Sequence, residues 1–238
     1  MNEHRPILIL GMHRSGTSCL AGSLESAGLF LGSVNTSAPF NRKGNREHES
    51  IRDIHDEVLS DHGYAWDNPP THPLNWSAQQ IDRLRQRAKS LSQASNWGLK
   101  DPRLAFCLKG WKEVFDPRYV VTYRHPTAVA NSLVSRSLAW GQEMSVAAAL
   151  DLWVSYNTQI LAETSDERAE VIRYDVDQSA YMAQLESVCV RFNLDAALAK
   201  TFYSETLNHQ KATDPEVPAV CQNIWNELEI RRQVIASA

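Results

Sequence analysis

Cysteine is scarce in this chain, and the four copies, Cys19, Cys107, Cys189 and Cys221, lie far apart with no CxxC pair. That spacing suggests neither a zinc knuckle nor a disulfide framework, and a reducing cytoplasm fits it best. No HExxH occurs among the eight histidines, and the histidine-bearing stretch 47–55 spreads its carboxylates over several helical faces, so no metal is expected. Long apolar runs are missing too. The first, Ile7-Leu8-Ile9-Leu10, breaks at once into the polar GMHRSGTS and is too short for a signal peptide or a membrane span. Nor is there an excess of charge of either sign. A formal net charge of −4 gives no global attraction for nucleic acid or an anionic membrane, so any polyanion site must be local.

With 238 residues, 43% of them hydrophobic, the chain has enough material for one sizeable core, and a single domain over 1–238 is expected. Short β-branched runs alternate with stretches of helical period. A strand at Pro6–Leu10 leads into a helix from about Thr17 to Ala27, which Gly28 ends. A charged helix at about 46–62 carries the apolar stripe Ile51, Ile54, Val58 and Leu59, which is core. Residues 63–76, GYAWDNPPTHPLNW, read as an irregular excursion whose tryptophans need burial. Ser77 caps a helix at about 78–95. Then come a strand at 97–100, the turn Asp101-Pro102-Arg103, a short helix to Phe115, a strand at Arg118–Tyr123 and a helix at Thr127–Arg136 that Thr127 caps. A helix at 145–164, a strand at Val171–Tyr174 and helices at about 178–192 and 219–235 complete the pattern. This alternation predicts an α/β fold in three layers, a central, mainly parallel sheet flanked by helices.

Residues 11–18, Gly-Met-His-Arg-Ser-Gly-Thr-Ser, stand directly after the first strand and directly before the first helix, where a phosphate-binding loop belongs. Glycines let the backbone wrap an anion, and the amides of the helix start face it with the positive end of the dipole. A nucleoside-triphosphatase loop would carry lysine right after its second glycine, but Thr17 stands there, and the cation sits instead at Arg14. A second anion site is suggested by Arg124, at the end of a strand, with Ser132 eight residues on in the next helix.

With both motifs in hand, a resemblance becomes specific. GMHRSGTS is similar to the 5′-phosphosulfate loop of the sulfotransferases that use 3′-phosphoadenosine 5′-phosphosulfate (PAPS), and RHPTAVANS to their 3′-phosphate motif; GNREHESIRDIHDEVL and WGLKDPR resemble segments of the bacterial branch. The likeness runs from residue 7 to about 175. It implies a P-loop fold, PAPS as co-substrate without a metal, a 5′-phosphate cradle of Arg14, Ser15, Gly16, Thr17 and Ser18, and a 3′-phosphate grip of Arg124 and Ser132. Arginine at position 14, where cytosolic animal enzymes usually carry lysine, marks the Golgi-type and bacterial branches. The C-terminal basic stretch of the cytosolic branch is absent, and residues 207–211 either replace it or form a solvated loop.

In-line transfer of a sulfuryl group to an acceptor hydroxyl or amine needs a cation for the leaving phosphate, for which Arg14 is suited, and a general base. The resemblance points to Glu47 as base, with His48 second and Glu49 also open. Lys100, Asp101 and Arg103 lie on the loop side of the sheet, so either one of them meets substrate or cofactor or they form a structural ion pair. Trp66 and Trp76 are the acceptor-side aromatics, and the acceptor itself, a saccharide or glycolipid as first expectation, is not encoded. Two rivals remain: a P-loop kinase or NTPase that uses Asp175 for magnesium, and a non-catalytic nucleotide-binding module.

Overall fold

The computed structural model describes residues 5–39, 41, 43–165, 169–203 and 217–236. Residues 207–211, the expected nucleotide contact near the C-terminus, lie outside them. Four strands, β1 (Ile7–Leu10), β2 (Gly98–Lys100), β3 (Arg118–Tyr123) and β4 (Glu170–Arg173), form a parallel sheet in the order β2-β1-β3-β4. The chain runs from β1 to one side for β2 and to the other for β3 and β4. The strand order therefore reverses between β1 and β3, and the crevice beyond their carboxyl ends is where an open sheet of this kind takes ligands.

A strand buried on both faces must be apolar throughout, and all four residues of β1 are fully buried. Their alternation sorts them between two core layers. Ile7 and Ile9 pack with Leu20 and Leu24 of α1 (Thr17–Ser26) and with Tyr181 and Leu185 of α7 (Gln178–Phe192). Leu8 and Leu10 pack on the other face with Ile51 and Ile54 of α2 (Glu49–Asp61), Phe106 of α4 (Leu104–Val114) and Trp153 of α6 (Val146–Glu163). The remaining helices are α3 (Ala78–Leu91), α5 (Pro126–Ala139), α8 (Ala196–Phe202) and α9 (Ala219–Ala236). The expected three layers are present.

Local chemistry accounts for most boundaries. Ser77 caps α3 in a full capping box: its hydroxyl accepts from the Gln80 amide while the Gln80 side chain accepts from the Ser77 amide. Three expectations need correction. The charged helix begins at Glu49 rather than 46, because Arg46 adopts a left-handed φ of 58° and leaves His48 as N-cap. Thr127 does not cap α5: Pro126, which has no amide hydrogen to satisfy, takes the first helical position and His125 becomes the cap. Thr127 sits inside the first turn, with its hydroxyl 2.8 Å from His125 Nδ1. Helix α8 has no counterpart in the sequence reading; Asp195 caps it by accepting from the amides of Ala197 and Leu198.

The excursion at 63–76 is irregular, with a lone bridge between Ala65 and Asn68, and its large side chains Tyr64, Trp66, Leu74 and Trp76 pack inward. It is tied to α6 by the Tyr156 hydroxyl, which donates to the Trp66 carbonyl at 2.8 Å.

Candidate functional site

The loop between β1 and α1 turns on two left-handed residues, Arg14 (φ 69°) and Gly16 (φ 87°). Gly16 is required twice over: L residues rarely adopt that φ, and a Cβ there would overlap the Tyr174 ring. The Thr122 hydroxyl, on β3, donates to the Ser15 carbonyl at 3.1 Å and fixes the loop to the sheet. The Ser15 side chain is fully buried, yet its Oγ has no hydrogen-bond partner among the described residues. A buried hydroxyl left that way in the turn before a helix is open to a bound group. Thr17 is buried at the start of α1, and Ser18 lines the cavity with its hydroxyl donating to the Asn45 carbonyl.

The two motifs read from sequence meet directly. Arg14 Nε donates to Ser132 Oγ at 2.8 Å across 118 positions of chain, and Arg124 reaches the Arg14 carbonyl at 3.4 Å. Ser132 and Arg124 are both buried. Burial, and then the nearby Arg124 charge, lowers the pKa of Arg14, although a guanidinium stays protonated at any physiological pH. Such a cluster of cations asks for an anion.

That anion has room. A cavity of about 450 Å³ opens at the crevice between β1 and β3, and among the described residues its wall carries six cations, Arg14, Lys43, Lys100, Arg103, Arg124 and Arg136, against one carboxylate, Glu47. The net charge of the whole chain gave no hint of this local excess; low-dielectric walls focus it.

Glu47 is buried and receives Lys100 Nζ at 2.7 Å, with Arg103 Nη1 at 3.9 Å. Behind them Asp101 anchors the turn. It accepts from the Arg103 amide and Nη1, and its other oxygen is 2.8 Å from His55 Nδ1. His55 Nε2 accepts from Trp111 Nε1 at 2.9 Å, so the donor on His55 is Nδ1. Burial alone would raise the Asp101 carboxyl, but the Arg103 charge and the His55 hydrogen bond outweigh it and hold it well below the usual carboxylate range. Asp101 forms the structural ion pair with Arg103, and Lys100 and Arg103 line the cavity.

Trp66 lines the cavity; Trp76 does not. It packs on Gly110, where a Cβ would overlap its ring, and edge-on to His55 at 5.9 Å, so it supports the wall from behind. His48 is not at the cavity either. As the cap residue of α2 it lies against Gly32, with Nδ1 3.3 Å from the Ser50 hydroxyl, and Glu49 points to solvent. Both are displaced for one physical reason: Glu47 precedes the helix and turns inward, whereas His48 and Glu49 begin it.

Several lining residues escaped the sequence reading. His13 stands edge-on to Trp66 (4.9 Å) and Tyr156 (5.8 Å), its Nε2 buried without a partner. Burial, and then the charges of Arg103, Arg136 and Lys100, pushes its pKa well below the ordinary value, so it is a neutral imidazole. Arg136 lies four residues after Ser132 and hence on the same face of α5, a spacing that could have found it. Lys43 and Phe202 could not have been found: Lys43 Nζ lies 4.3 Å over the Phe202 ring and donates to its carbonyl, across 159 positions. Among the described residues, no group of three or more His, Cys, Asp or Glu could hold a metal ion, and no helix is long and apolar enough to cross a membrane.

No protein-family model matches the chain, and no curated protein does. Solved structures do. A sulfotransferase domain from the curacin biosynthetic pathway aligns with a TM-score of 0.57 and 16% identity over 94% of this chain and 97% of that one. A sulfotransferase domain from the Synechococcus PCC 7002 olefin synthase gives 0.60 and 16% over 96% and 97%. The sulfotransferase STF1 of Mycobacterium tuberculosis gives 0.50 and 18% over 96% and 76%. The chain has the sulfotransferase-type P-loop fold.

Proposed function

We propose that the protein is a sulfotransferase that moves the sulfuryl group of PAPS onto an acceptor hydroxyl or amine. The observation that carries this reading is the bond between Arg14 and Ser132, which joins two separate sequence motifs over one cavity lined, among the described residues, by six cations and a single buried carboxylate. A ligand with anionic groups at two places, one on the β1–α1 loop and one at Arg124 and Ser132, suits that wall. The buried, unpartnered Ser15 hydroxyl fits the first of them.

PAPS would supply an activated sulfuryl group, whose bond to the 5′-phosphate breaks with the electron pair left on phosphate as the acceptor oxygen bonds to sulfur. The residues of this chain do the rest. Ser15, Gly16, Thr17 and Ser18 with the first amides of α1 hold the 5′-phosphate, and Arg14 offsets the charge that grows on it. Arg124 and Ser132 hold the 3′-phosphate. Glu47 takes the proton of the acceptor. Lys100, 2.7 Å away, holds the Glu47 carboxylate in place and sets a fixed positive charge beside the reacting groups. Fixed charges and amides of this sort need no reorganisation as the reaction proceeds.

A kinase would need the acid after β4 for magnesium. Asp175 is already engaged, accepting from the His125 amide at 3.0 Å and pairing with Arg173 at 2.9 Å, which speaks against that use.

The test is the melting shift given by adenosine 3′,5′-bisphosphate (PAP) without metal. At 100 times its Kd, a ligand selective for the folded state adds about 2.7 kcal/mol, or several degrees. The shift should be present in wild type and largely lost in Arg124→Ala. No shift with PAP, and one with ATP and magnesium, would favour the kinase. A shift without turnover for any acceptor would indicate the binding module.

A further inference from the structure

Of the cations on the cavity wall, Arg136 alone makes neither a hydrogen bond nor an ion pair with any described residue. Lys100 and Arg103 are offset by Glu47, Asp56 and Asp101, Arg14 donates to Ser132, Arg124 to the Arg14 carbonyl, and Lys43 to the Phe202 carbonyl. What surrounds Arg136 is aromatic: its guanidinium lies 5.1 Å from the Trp66 ring and 5.0 Å from the Trp140 ring. Contacts of this kind use the charge and leave the five N–H donors unspent, and a guanidinium is shaped to offer two of them at once to a carboxylate, phosphate or sulfate.

The place of Arg136 matters as much as its lack of partners. Burial, and then the Arg14 charge, lowers its pKa to about 10, while Glu47 acts the other way, so it lies within electrostatic reach of both the leaving-group cation and the base. It remains a cation at neutral pH. Trp66 is pinned from behind by the Tyr156 hydroxyl, whereas Trp140, at the end of α5, is 52% exposed and marks the mouth of the cavity. The entrance that an acceptor must use is therefore flanked by two indoles with an unspent guanidinium between them.

We infer that the acceptor carries an oxyanion of its own, which Arg136 holds between Trp66 and Trp140 while the group to be sulfated is directed to Glu47. This rests on the sulfuryl-transfer reading and adds to it the class of acceptor: an acidic one, with a ring or other flat face against the indoles.

The test uses the PAP-saturated protein and three 4-nitrophenyl β-D-glycosides as probes: the glucuronide, the glucoside 6-phosphate and the neutral glucoside, titrated by calorimetry. At least one acidic glycoside should bind about tenfold or more tighter than the neutral one, the difference expected of a charge-assisted pair. Which of the two does so tells carboxylate from phosphate. Arg136→Met, which keeps the packing between the indoles, should abolish the preference, and Arg136→Lys should restore part of it; the Kd values of PAP and PAPS should stay within about twofold in both variants. Equal binding of all three glycosides, no binding of any, or a preference that survives in Arg136→Met would overturn the inference. So would an Arg136→Met variant that loses affinity for PAPS but not PAP, since the guanidinium would then serve the transferring sulfonate. Failure of the wild type to bind PAP would instead strike the sulfuryl-transfer reading itself.

Discussion

The two ends of the cavity are built by different means. At the end proposed to hold the phosphates, the wall comes from two short contiguous segments, residues 11–18 and 124–132, and much of it is shaped by backbone: left-handed turns at Arg14 and Gly16, the start of α1, and the Thr122 hydroxyl on the Ser15 carbonyl. At the end proposed for the acceptor nothing is contiguous. Glu47, Trp66, Lys100, Arg103, Arg136 and Trp140 come from four places along the chain, and side chains hold one another there, Glu47 through Lys100 and Arg103 through Asp101 and Asp56. A backbone cradle tolerates little variation and recognises one ligand. A side-chain wall can be re-cut for a new acceptor without disturbing the cradle.

If that division is right, damage to one end should leave the other working. The largest effect is expected from Glu47→Gln, which should lower turnover by about 10²- to 10⁴-fold yet keep the melting shift given by PAP. Parallel loss of PAP binding would break the comparison by making Glu47 part of the nucleotide grip. Next, Arg124→Ala should weaken PAP by roughly 10- to 100-fold, the range for hydrogen bonds to a charged group, and leave saturated turnover much less affected than PAP affinity. Calorimetry and single-turnover assays with PAPS separate the two. Third, Gly16→Ala should cost about 1–3 kcal/mol through its φ of 87° and the overlap with Tyr174, and so lower the melting temperature by roughly 2–12 °C. An unchanged melting curve would mean the cradle is softer than its geometry.

The smallest effect concerns the boundary between the two ends, where His13 belongs to the loop by sequence and to the acceptor wall by contact. Its folded-state pKa is depressed by burial and by three nearby cations. The unfolded chain therefore takes up a proton first as pH falls below about 6.5, and the stability that neutral His13 preserves above that pH is lost below it, at up to about 1.4 kcal/mol per pH unit. Melting scans from pH 7.5 to 5 should fall more steeply for wild type than for His13→Gln. Identical slopes would mean that His13 is solvated rather than held against Trp66 and Tyr156.

Legibility followed the same division. Strand β3 and helix α7 have the bounds expected of them, because periodic apolar runs and clear caps fix them locally. The turn between β1 and α1 was legible because its glycine and its position between strand and helix are both local facts. Arg136 was within reach, one turn beyond Ser132, but nothing in a string of residues tells a lining face from a solvated one. Trp76 was misread for the converse reason: a tryptophan in a proline-rich excursion can face the cavity or the core, and packing on Gly110 sent it to the core. Helix α8 was missed because seven residues carry too little periodicity, and with it went the partnership of Lys43 and Phe202.

By itself the sequence determined the layers, since an all-apolar β1 must be covered on both faces, and the turn that joins β1 to α1, since a glycine between a strand and a helix supplies its left-handed residue locally. Only the tertiary structure decided which charges remain unspent. That depends on which side chains arrive at 3 to 4 Å from one another out of distant parts of the chain, and it is why Asp175 is engaged, Glu47 is paired with Lys100, and Arg136 is left between two indoles.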